Sequence, residues 1–330
     1  MVGEALLSLI RQALGVCEPS EPALSPSQWR ELVVLSRKHT VSGMVYQAFT
    51  ELPSASGVPS DVIDAIVTDS IKIKRKGGKI DAVLKVITSS LKEASPVVMK
   101  GPSVAAFYPH PELRTSGDLD LFIDWKHLDT VLSFLREKGY SPVKSPDGAW
   151  LCKGEVVDID LHYSYYDLAL PWDNLPPIPS PEAQICMLSM HILKHSMGPG
   201  VGLRQLCDLA VVLKKGDYSQ KKLRKYFRRN GLDSWNRMLC SFLEDRLGIK
   251  TGLYSRKVSY KAFEKMVFEG GDFGRYGKGR TGALSSTANK RKADTARRYL
   301  RRLPFALRYA PLRYISYILS LLKGNMHSLH

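Results

Sequence analysis

The sequence predicts an α+β fold in which a short α/β unit is framed by helical regions on both sides. Three observations carry that expectation. Apolar residues recur at helical spacing before residue 95 and again after residue 181. Between them, residues 96–166 hold several short alternating or β-branched runs. A proline-rich stretch, PWDNLPPIPSP, separates that unit from the helices that follow.

Taken in order, residues 4–15 read as an amphipathic helix. Glu4 and Arg11 interrupt its apolar run, and it lacks the basic region of a signal peptide. Residues 28–49 read as one helix, with Trp29, Leu32, Val33, Leu35 and Ser36 at helical spacing and Ser27 as its N-cap. Residues 60–94 form a long helical pattern that Gly77-Gly78 breaks or bends; the basic run KIKRKGGK within it reads as a solvated face. VVMK is a short strand, SVAAFY a helical turn, and DLDLFID an alternating strand. WKHLDTVLSFLREKG is an amphipathic helix closed by Gly139. YSPVK, AWLCK and VVDIDLHYSY follow as strands, with a turn at Pro146-Asp147-Gly148. Helices are expected at 181–197, 203–214, 219–230 and 233–247, and a mobile, glycine-rich basic stretch at 270–290. The resulting division is 1–95 helical, 96–170 α/β core, 171–269 helical and 270–330 basic tail.

Composition suits a protein with a sizeable core: 330 residues, 44% hydrophobic and 24% charged. Five scattered cysteines without a C-x-x-C pair argue against a disulfide framework or zinc ribbon and for a reducing, cytoplasmic compartment. No apolar run reaches the length of a membrane span. The net charge is +16, of which residues 275–330 supply +12 through 13 Lys or Arg against one Asp. That tail admits three readings: a grip on nucleic acid, a peripheral contact with an anionic membrane surface, or helices packed on their own protein with solvated arginines.

The chemistry-bearing constellation lies in the α/β unit. In a strand, residues i and i+2 share a face, so Asp118 and Asp120 stand side by side, about 6–7 Å apart at Cα. Two such carboxylates repel unless a cation sits between them. Oxygen ligands favour a hard ion, magnesium or manganese. The strand VVDIDLH repeats the device with Asp158, Asp160 and His162, and a further carboxylate from it would complete a metal site for phosphoryl displacement. Gly101 allows close backbone approach to a ligand. Ser103 opens a short helix whose free N–H groups favour phosphate, and Lys100 or Arg114 can neutralise phosphate charge.

This order of Gly-x-Ser turn, helix, Asp-x-Asp strand and later Asp resembles the nucleotidyltransferase superfamily typified by DNA polymerase beta. More narrowly, VVMKGPSVAAFYPHPELRTSGDLDLFID, VDIDLH and MHILKHSMGPGVGLRQLCDLAVVLKK are similar to the bacterial family of uncharacterised nucleotidyltransferases, over roughly residues 25–275. The resemblance implies a small mixed β-sheet core, Mg2+ or Mn2+, and a nucleoside triphosphate, in the first place ATP. It implies transfer of the NMP to a hydroxyl of a small-molecule or protein acceptor with release of pyrophosphate. Carried over to this chain, Asp118, Asp120 and Asp160 are the catalytic and metal-binding carboxylates, with Asp160 chosen over Asp158 because the family text reads acid-Leu-His there. Lys100, Gly101, Ser103 and Arg114 would hold the nucleotide. One departure is Pro102, which removes an N–H from the turn. The alternatives are a catalytically silent binding protein on the same fold and an adaptor acting through the tail.

Other motifs have plainer readings. His191 and His195 are spaced i, i+4 like a zinc pair, but the Glu of H-E-x-x-H is missing, so a packed helix histidine or a contact across the cleft is expected. Arg204 and Asp208 suit an intrahelical ion pair. The chain has no G-x-x-x-x-G-K-[ST] phosphate loop.

Overall fold

The computed structural model describes residues 1–54, 57–145, 149–198, 200–272 and 288–327. The turn expected at Pro146-Asp147-Gly148 and most of the glycine-rich stretch at 270–290 lie outside the described residues. The fold is mixed, as the sequence predicts: helices before and after one sheet, which among the described residues has five strands.

Four helices come first: α1 (Val2–Ala13), α2 (Pro26–Lys38), α3 (Ser42–Thr50) and α4 (Ser60–Ser90). The single helix expected over 28–49 is two, because Thr40 takes a left-handed φ of 55° between α2 and α3. The N-cap of α2 is Ser25 rather than Ser27; Ser25 and Gln28 form a reciprocal capping box, with Pro26 at the first helical position. α3 lies so close to the turn at Pro111–Leu113 that a Cβ on Gly43 would meet the Leu113 carbonyl oxygen at 1.9 Å. Gly77-Gly78 does not break α4, which runs unbroken for 31 residues.

The sheet is built from β1 (Val97–Val98), β2 (Leu119–Phe122), β3 (Ser141–Lys144), β4 (Trp150–Lys153) and β5 (Ile159–His162), in the order β1-β2-β5-β4-β3. Only β2 and β5 run parallel; the other neighbours are antiparallel. The one-turn helix α5 (Pro102–Ala105) follows β1, and α6 (Leu128–Glu137) follows β2. Gly139, at φ 83°, lies just past the end of α6, as expected of a helix-closing glycine.

The two faces of the sheet belong to different apolar cores. Leu119, Leu121, Ile159, Leu161 and Cys152 pack with Val131, Leu132 and Leu135 of α6 and with Ile80 and Ile87 of α4. Phe122 and Val97 pack instead against a larger core made by α1–α3 and the later helices. Those are α7 (Pro181–Met197), α8 (Leu203–Lys215), α9 (Gln220–Arg229), α10 (Asp233–Leu247) and α11 (Lys261–Gly270). Val62 and Ile66 place the start of α4 in this larger core, so α4 belongs to both. The period of two in LDLF thus sends leucines to one core and Asp120 toward the helical body.

The basic tail contributes α12 (Ala288–Tyr309) and α13 (Pro311–His327). Pro304 sits inside α12, and Pro311 begins α13. Ala306, Tyr309, Ala310 and Tyr314 join the larger core. Arg313 is buried rather than solvated. It clasps Asp173 through two contacts of 2.7 and 2.9 Å and donates to the Leu168 and Asn230 carbonyls.

Candidate active site

The parallel register of β2 and β5 sets Asp120 directly beside Asp160. One oxygen of each carboxylate and a ring nitrogen of His162 lie within 4.8 Å of one another, and His162 Nε2 is 3.0 Å from Asp120 Oδ1. Asp158, the other acid of β5's approach, is exposed one register step earlier and accepts from the Gly154 N–H at 3.2 Å. Of the two acids, Asp160 is the one in register with Asp120. Asp118 sits just ahead of β2, exposed at the mouth, outside the group of three. It lines the same cavity as Lys100, Gly101 and Asp120, and also an adjoining cleft of about 500 Å³ reaching Asp158 and Arg204.

Lys100 is delivered by β1. The Met99 N–H bonds the Asp120 carbonyl, so the next side chain falls beside Asp120, and the ammonium lies 3.0 Å from Oδ1. Beyond it, His191 Nε2 is 3.4 Å from the same ammonium, and His191 Nδ1 lies 2.8 Å from Asp167, which also takes Lys194 at 2.7 Å. Since an ammonium only donates, His191 accepts at Nε2 and donates through Nδ1. Two carboxylates and two ammonium groups, with the neutral His191 between them, thus form a part-buried row from Asp120 to Lys194.

Burial alone would raise the Asp120 carboxyl, but the Lys100 charge and the His162 contact hold it well below the usual carboxylate range. Asp160 goes the other way: burial first, then the charges of Asp120 and Asp118, push it up to about 6. Burial and the Lys100 charge lower His191 despite Asp167. The pair Asp120–Asp160 thus has the tension that a bound cation relieves.

Gly101 has φ 73° and ψ −113°, a conformation that only glycine adopts readily. The Ser103 hydroxyl at the start of α5 is buried and has no hydrogen-bond partner, an orphaned polar atom beside the turn. Arg114 reaches the cavity but has a protein partner: its guanidinium meets Asp208 through two contacts of 2.8 and 2.7 Å, and Tyr108 donates to the same carboxylate at 2.7 Å. Asp208 therefore serves Arg114 across 94 residues of chain, while Arg204 donates to Thr40 Oγ1 and approaches Asp272. His191 and His195 stack edge to face at 4.3 Å, and neither belongs to a group of three metal ligands among the described residues.

The family model for uncharacterised nucleotidyltransferases matches residues 25–247. The chain belongs to that family. No curated protein and no solved structure matches it significantly. The matched span holds every member of the acidic group and of the charged row behind it, whereas α1 and α11–α13 lie outside it. Within that span, Asp120 and Gly101 line one cavity. Sequence reading missed Asp167 and Lys194, whose only signal is a charge near the end of the α/β unit and another on a helix. It also missed the partnership of Tyr108, Arg114 and Asp208, three residues of the family-like text joined only in space.

Proposed function

We propose that the protein moves an NMP from a nucleoside triphosphate, ATP in the first instance, to a hydroxyl of an acceptor, releasing pyrophosphate. The observation that carries this is the register of β2 against β5, which gathers Asp120, Asp160 and His162, with Asp120 lining one cavity with Gly101. The two carboxylates suit Mg2+ or Mn2+, and the imidazole favours the softer Mn2+ of the two. Asp120, Asp160 and His162 would hold the ion, with Asp118 at the mouth as a further ligand. A bound divalent ion supplies Lewis-acid stabilisation of the charge on the phosphate oxygens.

The remaining roles fall to the chain itself. The turn at Gly101 and Ser103 receives the triphosphate, and Lys100 neutralises part of its charge. The acceptor oxygen bonds to the α-phosphorus, the bond from that phosphorus to the bridging oxygen breaks, and pyrophosphate leaves with that electron pair. The hydroxyl proton passes to Asp160, which stands beside Asp120 in the parallel register. Arg114 is held by Asp208, which Tyr108 braces, and positions the 114–118 segment leading to the acids.

Incubation with each labelled NTP, magnesium or manganese, and a cell extract tests this. Label transferred to an acceptor, and lost in Asp120→Asn and Asp160→Asn, is the expected result. Absence of any metal-dependent nucleotide binding by the wild type would sink it. One observation favours the alternative of a catalytically silent protein: the Lys100–Asp120 contact at 3.0 Å already neutralises the central acid without metal.

A further inference from the structure

We infer that the helix pair α12–α13 is a docking surface for an anionic membrane, independently of the catalytic chemistry. One side of the pair is already used, with Ala306, Tyr309, Ala310 and Tyr314 in the protein core and Arg313 on Asp173. A surface helix packed in this way normally turns a polar face outward. Here the outward face is apolar as well. Leu300, Leu303 and Leu307 follow at i, i+3, i+7 on α12, Leu312, Ile315 and Leu319 at the same spacing on α13, and all six are between 36% and 67% exposed.

Charge selects the occupant. Residues 288–327 carry ten Lys or Arg against one Asp, and Arg301 and Arg308 are exposed on α12 next to the leucines. An aliphatic row bordered by arginine is the pattern of a helix that lies in the headgroup layer of an anionic bilayer. Single-stranded nucleic acid would want exposed aromatic rings for stacking, yet Tyr309 and Tyr314 are buried, Tyr299 and Tyr317 are half-buried against each other, and Phe305 packs on Phe263 and Tyr309. A second copy would bring two strongly basic surfaces together. No helix among the described residues is long and apolar enough to cross a membrane, so the contact is a surface one. The pair lies outside the span matched by the family model, and α12 packs on α7, the helix that carries His191.

Co-sedimentation of the full chain with vesicles tests this, comparing phosphatidylglycerol-containing phosphatidylcholine with pure phosphatidylcholine. The wild type should bind the anionic vesicles at least about tenfold more tightly, and added salt should weaken that binding. Leu300→Ser/Leu307→Ser/Leu312→Ser should lose about tenfold or more, with an unchanged melting temperature because these side chains are exposed. Should that variant not fold, the salt titration of the wild type and the pair Arg301→Gln/Arg308→Gln decide. The inference is overturned by no preference for anionic vesicles, or by serine and glutamine variants that bind like the wild type. It is also overturned by a wild-type dimer that the serine variant makes monomeric, or by single-stranded RNA that displaces the protein from vesicles at low concentration.

Discussion

Replacing Lys100 with Met asks what holds the central carboxylate when no metal does. The ammonium lies 3.0 Å from Asp120 Oδ1; Asp120 is buried and Lys100 partly so. At that separation and an effective dielectric of about 20, the attraction is about 5 kcal/mol. Desolvation of the two groups offsets part of it. A divalent ion entering between Asp120 and Asp160 must displace the ammonium or sit beside it, and either way meets a repulsion of the same order. Methionine keeps the unbranched apolar stem and removes the charge. Without metal, Lys100→Met should lose about 3 kcal/mol of stability, because Asp120 keeps only His162 as a partner. Its affinity for Mn2+ in the absence of nucleotide should rise at least about tenfold, which requires only about 1.4 kcal/mol of that repulsion to be realised. Calorimetric titration measures the affinity. Thermal melts with and without Mn2+ read the linked effect, a larger metal-induced rise in Tm for the variant than for the wild type. Equal or weaker Mn2+ binding by Lys100→Met would refute the idea that Lys100 stands where the cation belongs.

Three further outcomes are expected. A folded pKa raised to about 6 means that Asp160 favours the fold below its unfolded value near 4 and that this stability is lost as pH rises through about 6. Asp160→Asn should therefore be more stable than the wild type at pH 8 by roughly 1–2 kcal/mol, after allowance for solvent screening, in urea denaturation; a less stable variant would contradict the repulsion. Asp208→Asn leaves the Arg114 guanidinium buried without its charge partner and should cost about 3–5 kcal/mol, whereas Tyr108→Phe removes one hydrogen bond and should cost about 1; similar small losses for both would mean the ion pair is not the anchor. His39 is fully buried, accepts from the Leu203 N–H at 3.3 Å, and is pushed down to about 3 by burial and the Lys38 charge. Its unfolded form protonates near 6.5, so stability falls as pH drops from about 6.5 toward 3, by about 2 kcal/mol at pH 5. His39→Asn should flatten that part of the stability curve, and superimposable curves would count against it.

The site was legible where its chemistry is local and periodic. DLDLFID and VDIDLH show alternation within a few residues, and the structure pairs Asp120 with Asp160 in register. What alternation cannot reveal is which strands are neighbours, and therefore that His162 closes on Asp120. The row through His191, Asp167 and Lys194 was illegible for a similar reason: its partners come from a loop and a helix, joined by tertiary packing alone. Asp208 illustrates the competition. Its i, i+4 neighbour Arg204 is worth a few tenths of a kcal/mol on a helix surface, while a buried two-contact partner such as Arg114 outweighs it. The helix boundaries failed at single residues. Thr40 at positive φ carries no strong turn signal, and Gly77-Gly78 carries one that the packing of α4 overrides.

That helix has a mechanical consequence. A rod whose two ends are embedded in separate cores couples them, and its compliance is set by its middle. Gly77 and Gly78 lie between the buried anchors Ile66 and Ile80, and a methyl group added to either would meet nothing within 4 Å. Each glycine also lowers helix stability by about 1 kcal/mol relative to alanine. Lys76, immediately before them, lines the cleft between the sheet and the helical body. Flexure at this point would therefore change the width of that cleft.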